Sequence, residues 1–196
     1  AIGDHRPEVS GNEERVRARF TFDRMDAPII PERGFRVEAA ADYFLDAPET
    51  DAAFGLASAS LTLFHPLSDV DRVFGGVRGG ASFDRDAPPL YQFGLGGPFR
   101  LSSFDRERFL GQRFLYGTGG YLREIWRLPD FLGGPIYPVG FLETGSAYDA
   151  RDMADWHTSG SAGVVMETIL GPLIVAGAFG DMSSSTFYFI LGDLFR

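Results

Sequence analysis

The sequence contains no cysteine, so a disulfide framework and a thiolate metal site are both excluded. Its three histidines, His5, His65 and His157, stand far apart, and no second ligand accompanies any of them at zinc spacing. We therefore predict solvated histidines, no metal site and no cofactor.

The sequence also has no run of eighteen apolar residues, which argues against a membrane-spanning helix. A membrane β-barrel is still compatible with this composition, because its strands distribute apolar residues in alternation with polar ones. The length of 196 residues and the hydrophobic content of 44% predict one domain with a substantial core.

Lysine is absent as well, and all 18 basic residues are arginine. The net charge of −9 argues against a nucleic-acid partner, because phosphate binding depends on a positive field. The exclusive use of arginine favours a role in fixed hydrogen bonds over a role as general solubilising charge on the surface.

Residues 1–14 are polar and lack the charged start and apolar middle of a signal peptide. We interpret them as an N-terminal tail or linker ahead of one domain at residues 15–196. If the protein is exported, the sequence corresponds to a mature or trimmed chain.

Alternating apolar and polar residues predict a strand from Arg15, since Val16, Ala18, Phe20 and Phe22 share one parity. Eight further stretches of about ten residues follow, with glycine and proline between them. The nine stretches are 15–26, 35–45, 52–64, 72–83, 113–126, 135–148, 159–170, 172–180 and 186–195.

The pattern fits either an antiparallel transmembrane β-barrel of eight or nine strands or a soluble β-sandwich. Aromatic residues near the strand ends favour the barrel, because they would form an interfacial girdle. They are Tyr43, Phe44, Phe64, Tyr91, Trp126, Tyr148 and Trp156. Single-chain bacterial barrels usually have an even strand number, so nine stretches leave open a non-spanning stretch or a larger barrel.

The last stretch carries alternating aromatics, a glycine and a terminal aromatic: Phe187, Phe189, Gly192 and Phe195. It resembles the C-terminal assembly signal of bacterial outer-membrane barrels, although a buried edge strand of a soluble protein would look similar. The preceding GPLIVAGAFG resembles the penultimate strand of the bacterial surface antigen superfamily. That superfamily includes BamA-like insertases, two-partner secretion translocators and the barrels attached to patatin-like phospholipases, which this chain resembles most.

Two further motifs carry the resemblance. FDRMDAPIIPERG resembles the turn motif D-x-x-D-x-x-x-x-P-x-x-G of that superfamily, through Asp23, Asp26, Pro31 and Gly34. GLGGPFRLSSFDRERFLGQ, from Gly94, resembles its long loop that folds into the barrel lumen. The family tip carries an arginine, a small residue and an aromatic, and here those positions hold Ser102, Ser103 and Phe104.

The resemblance implies that an arginine near this tip pairs with an acid on the inner wall. The candidate arginines are Arg100, which precedes Leu101, and Arg106 and Arg108. FLETG resembles the strand motif that presents the acid, which makes Glu143 the first candidate and Glu124 the second. Such a charge-assisted contact would hold the loop in place. Without the resemblance, the three arginines read as solvated loop residues.

No G-x-S-x-G elbow or Walker-type loop occurs, and residues 159–163 resemble the elbow only loosely, so we expect a non-enzyme. The resemblance implies a membrane anchor or translocator module in a Gram-negative outer membrane. Its expected partners are outer-membrane lipid, the barrel assembly machinery and a second copy in a homodimer. A purely structural dimer and the C-terminal half of a sixteen-stranded translocator are the alternatives.

Overall fold

A computed structural model describes residues 13–28, 30–48, 50, 52–129, 131, 133–150 and 153–192 of the chain. Within these residues it contains twelve β-strands and a 3-10 helix at Pro89–Tyr91. The strands are β1 (Glu14–Asp23), β2 (Gly34–Asp46), β3 (Phe54–Pro66), β4 (Asp71–Phe83), β5 (Phe93–Leu95), β6 (Phe109–Gly111), β7 (Arg113–Arg123), β8 (Trp126–Arg127), β9 (Gly133–Tyr148), β10 (His157–Thr168), β11 (Gly171–Gly180) and β12 (Ser185–Leu191).

Nine of these strands form one antiparallel sheet in the order β1-β2-β3-β4-β7-β9-β10-β11-β12, and the two-residue β8 also pairs with β9. Each of the nine stretches predicted from alternation overlaps one of these nine strands, with ends that differ by up to four residues. The predicted all-β antiparallel class is therefore confirmed. No helix among the described residues has the length and apolar character needed to cross a membrane.

The sheet is open in the part of the chain that the structure describes, because no ladder joins β1 to β12. The closure that a barrel requires is therefore not established by this structure. Successive strands of the sheet alternate in direction, so its first and ninth strands run the same way. The two free edges are thus parallel to each other.

The sheet has two dissimilar ends. At the turn end, the connections comprise residues 24–33, 67–70, 124–132 and 169–170. At the loop end, they comprise residues 47–53, 84–112, 149–156 and 181–184. The longest connection, 84–112, joins β4 to β7 and contains the 3-10 helix together with the small β5–β6 ladder.

Strand alternation gives the sheet an inner and an outer face. Tyr188 is buried on the inner face, whereas its neighbours Phe187 and Phe189 are 72% and 64% exposed on the outer face. The inner core is a cluster drawn from several strands and from the first turn: Ile30, Phe64, Leu122, Tyr137, Val139, Phe141, Val165, Ile174, Ala176, Ala178 and Tyr188.

The predicted domain boundary lies close to the start of the sheet, since β1 begins at Glu14. Residues 1–12 of the expected tail, and Phe195 of the expected C-terminal signal, lie outside the described residues.

Candidate functional site

The central part of the β4–β7 connection is buried against the inner face of the sheet. Leu101 and Ser102 are 0% exposed, Ser103 is 2% exposed and Phe104 is 6% exposed. These four residues, 101–104, are called the loop tip below. Arg106 and Arg108, which follow it, are exposed.

Backbone hydrogen bonds and left-handed residues fold the loop tip tightly. The Gly96 N–H donates to Arg100 O at 2.7 Å, and the Gly97 N–H donates to Phe104 O at 3.0 Å. Both glycines have positive φ, and so does Leu101 at 71°. That conformation costs a non-glycine residue on the order of 1 kcal/mol, so surrounding contacts must stabilise it.

Glu143 of β9 supplies part of that stabilisation. Its carboxylate is 2% exposed and accepts hydrogen bonds from Leu101 N at 3.1 Å and Ser102 N at 2.8 Å. The Tyr116 hydroxyl donates to the same carboxylate at 2.7 Å. Two successive N–H groups beside a left-handed residue form an anion-binding concavity, and here a carboxylate of the same chain occupies it.

The structure therefore brings Glu143 and the loop together, as the resemblance implied, and it shows backbone N–H groups binding the carboxylate. Arg100 is half-buried, and its guanidinium carbon lies 5.9 Å from the centre of the Phe114 ring. An arginine contact with Glu143 stays a prediction. Ser102, where the resemblance implied an arginine, accepts a hydrogen bond from Phe99 N through Oγ at 3.0 Å.

Ser103 connects the loop tip to β10, to the connection between β11 and β12, and to β12. Its N–H donates to Ser159 Oγ at 3.1 Å, and its carbonyl accepts from Thr186 Oγ1 at 3.1 Å. The Ser184 hydroxyl donates to Ser103 Oγ at 3.0 Å. The loop connects β4 and β7 in the middle of the sheet. Its tip therefore crosses the inner face to contact β10 and β12.

Gly180, at the end of β11, allows this close approach. A Cβ atom built on Gly180 would lie 2.1 Å from Ser103 Oγ and 2.8 Å from the Thr158 carbonyl oxygen. The absence of a side chain at this position is therefore a steric requirement of the loop contact.

Phe104, the aromatic residue of the loop tip, packs in a small aromatic cluster. Its ring lies 5.0 Å from Phe109 and 5.6 Å from His157, and Phe109 stacks on His157 at 3.9 Å. His157 is 7% exposed, with Nδ1 3.5 Å from Asp181 and Nε2 3.7 Å from Asp155. The prediction of a solvated histidine is wrong here, because Phe104 and Phe109 cover the ring.

Glu124, the second candidate acid, lies at the turn end of β7. Its carboxylate pairs with Arg127 at 2.9 Å and with Arg72 at 3.8 Å. Arg72 is 2% exposed and donates to Glu32 Oε1 and to the Tyr137 hydroxyl, both at 2.8 Å. Arg72 was not predicted as a site residue, although a charged residue that shares the parity of Phe74 on β4 indicates a paired cation on the inner face.

The turn motif packs against the inner core through Met25 and Ile30. Asp23 accepts from Met25 N at 2.9 Å, and Asp26 accepts from Glu32 N at 2.9 Å. Pro31 is buried. Gly34 has φ 119°, and a Cβ there would lie 2.1 Å from the Arg24 carbonyl oxygen. All four motif positions therefore have local structural roles in this turn. Ile30, which belongs to the same turn, is part of the core.

The described part of the C-terminal motif lies at the free edge of the sheet. Phe187 and Phe189 project from the outer face of β12. Gly192 follows with φ 119° and donates its N–H to Pro172 O at 2.9 Å.

No protein-family model matches the chain, and no curated protein matches it. The superfamily resemblance therefore rests on the motifs quoted above.

Proposed function

We propose that this chain forms the wall of a transmembrane β-barrel in a Gram-negative outer membrane, of the surface antigen type, and acts there as an anchor or translocator module. The supporting observation is the distribution of side chains between the two faces of the sheet. On the inner face, the loop tip and the core cover much of the sheet, whereas on the outer face the apolar side chains are exposed.

Register and alternation assign residues to the outer face. Between the first and last residues of each of the nine strands, this face carries no Asp, Glu or Arg. Its exposed apolar residues include Val16, Phe20, Phe22, Phe35, Leu63, Val77, Leu115, Tyr121, Leu142, Phe179, Phe187 and Phe189.

A contiguous apolar surface of this kind is rare on soluble monomers, which expose patches of only a few hundred Å². In a membrane barrel it is the lipid-facing band, and aromatic residues flank that band at both interfaces. Exposed Phe83 and Trp156 lie at the loop end, and exposed Trp126 and Phe131 lie at the turn end. Lipid contact explains this arrangement more simply than a soluble sandwich does.

The direction of the two free edge strands, β1 and β12, limits how the sheet could close into a barrel. A second copy in the same membrane orientation would place β12 of one chain beside β1 of the other, and these strands are parallel. Outer-membrane barrels are built from antiparallel ladders, which here need an odd number of additional strands. The sixteen strands implied by the resemblance need seven more, so strand direction favours the C-terminal part of a larger barrel over a closed homodimer.

The test compares adjacent residues on opposite faces, and the absence of cysteine in this chain permits single-cysteine labelling. The variants Leu142→Cys and Phe179→Cys carry a polarity-sensitive fluorophore on the outer face, and Ala176→Cys carries it on the inner face. We expect lipid-attached nitroxides to quench the outer labels strongly and the inner label weakly. A full-length protein that stays in solution without detergent would contradict the proposal and support the soluble sandwich.

A further inference from the structure

The inner face of β1–β4 differs from that of β9–β12. The loop tip and the aromatic core cover the inner side of the later strands, whereas every residue of β1 is exposed. Cross-strand rows on β2–β4 are polar: Ser60 lies opposite Glu38 and Arg78, and Thr62 lies opposite Arg36. The middle of this inner face is therefore polar and partly exposed, whereas Phe44, Phe54 and Phe64 are buried towards its two ends.

A cavity of about 210 Å³ lies between this inner face and the buried loop. Met25, Pro28 and Pro31 of the first turn border it, as do Pro98 and Phe99 of the loop. Its charged lining residues are three arginines and one carboxylate: Arg36, Arg78, Arg100 and Glu38. The lining thus has an excess of positive side chains in a chain whose net charge is −9.

Arg78 is the central cation of this cavity. Arg36 pairs with Asp23 at 2.7 Å, and Arg100 lies over Phe114. Arg78 is half-buried near the middle of β4, and its side chain has neither a hydrogen bond nor an ion pair within the part of the chain that the structure describes. A guanidinium in a confined polar space keeps its charge and attracts a solution counterion.

We propose that the inner face of β1–β4 forms an anion-selective path and that Arg78 is its selectivity-determining residue. The inference rests on the membrane-barrel function proposed above. The ions it would favour are small inorganic anions, of which chloride is the simplest probe. Fixed arginines select anions because the positive potential of a narrow path raises the local anion concentration and excludes cations.

The experiment measures the reversal potential of the full-length protein in planar bilayers across about a tenfold KCl gradient at low ionic strength, where fixed charges are least screened. We expect the wild-type protein to prefer chloride. Arg78→Gln should lower the chloride-to-potassium permeability ratio roughly threefold or more, whereas Arg78→Lys should retain it. The matched control is Arg123→Gln, which removes the same charge from an exposed residue that pairs with Asp71 at the turn end.

Each outcome is decisive. A preference for potassium, or none, in a membrane-inserted and heat-modifiable wild-type protein overturns the anion path and leaves the barrel intact. The absence of conductance in both the wild type and Glu143→Gln, a variant expected to loosen the loop because it removes an acceptor of the Leu101 and Ser102 N–H groups, also overturns it. A protein that fails to insert overturns the barrel as well. If Arg78→Gln does not fold, a wild-type chloride preference that weakens at high salt supports the path, and a preference independent of salt contradicts it.

Discussion

The carboxylate of Glu143 accepts a hydrogen bond from the backbone N–H of Ser102 at 2.8 Å, across 41 residues of sequence. The contact is buried, and the Leu101 N–H joins it at 3.1 Å. A charged acceptor on a rigid strand therefore fixes the backbone of a long loop. This arrangement depends little on which side chain occupies the loop position, so it is compatible with Ser102 at the position where the proposed resemblance implies an arginine.

Glu143→Gln should release the loop tip. The amide keeps one carbonyl oxygen but replaces the second acceptor with an NH₂ group that faces the same donors. Hydrogen bonds to charged groups contribute about 1.5 to 3 kcal/mol each, so we expect the loop to lose about 2 kcal/mol of local stability. Limited proteolysis of the folded full-length protein should then cut residues 96–108 faster.

The matched control is Glu38→Gln, which changes an inner-wall carboxylate whose hydrogen bond is a longer one of 3.4 Å from Ser60. It should leave the proteolysis rate near that of the wild type. Equal cleavage of wild type and Glu143→Gln would contradict the role assigned to Glu143.

Gly180→Ala should displace the loop tip by steric conflict. The new methyl group would lie 2.1 Å from Ser103 Oγ, and overpacking of this kind costs about 1 to 3 kcal/mol. We expect faster proteolysis of the loop without loss of the sheet. Gly177→Ala, on the same strand, serves as the control because its nearest neighbour lies at 3.9 Å. If the two alanine variants behave alike, Gly180 is not a contact point of the loop.

Arg72→Met should destabilise the turn end. The substitution preserves much of the side-chain volume but removes the hydrogen bonds to Glu32 and Tyr137. Loss of one partner of a buried pair costs about 3 to 5 kcal/mol, and the 61% exposure of the Glu32 side chain reduces this to about 1 to 3 kcal/mol. Urea unfolding of the detergent-folded protein measures the effect.

Arg123→Met provides the comparison, because Arg123 is 56% exposed and its 3.6 Å pair with Asp71 is open to solvent. Surface substitutions of this kind change stability by about 0.5 kcal/mol or less. An equally small effect at Arg72 would show that its buried contacts add nothing to stability.

Leu142→Arg should impair membrane insertion. Leu142 is 72% exposed near the middle of β9, the longest strand, where lipid contact is expected. Arginine at the middle of the lipid-facing band costs about 2 to 4 kcal/mol. The folded fraction, measured by heat-modifiable mobility on a gel, should fall, whereas Leu142→Ala should reduce it little. An unchanged folded fraction for Leu142→Arg would exclude lipid contact at this position.

The sequence was sufficient to predict the strands, because alternation records which side of a sheet each residue faces. Phe187, Tyr188 and Phe189 illustrate this directly. Closure could not be predicted in the same way, since alternation carries no information about which strand pairs with an edge. The odd number of stretches was visible in the sequence, but the parallel direction of the two free edges became clear only from the ladders.

Part of the candidate site could be predicted from the sequence. Motif spacing singled out Glu143 and the loop, which meet in the structure. Their contact runs through backbone N–H groups whose direction depends on the left-handed conformation of Leu101, and nothing in a leucine signals that conformation. The burial of His157 was also not predicted. The ring that covers it, Phe109, belongs to the same loop, and the sequence did not predict the conformation of that loop.

Hydrogen exchange at the Ser102 amide is the most direct measurement of the Glu143 contact with the loop backbone. In the full-length protein, we predict strong protection of this amide in the wild type and in Glu38→Gln. In Glu143→Gln we predict exchange at least about 30-fold faster, which corresponds to about 2 kcal/mol. Exchange at the same rate in all three proteins would contradict the conclusion that Glu143 fixes the loop.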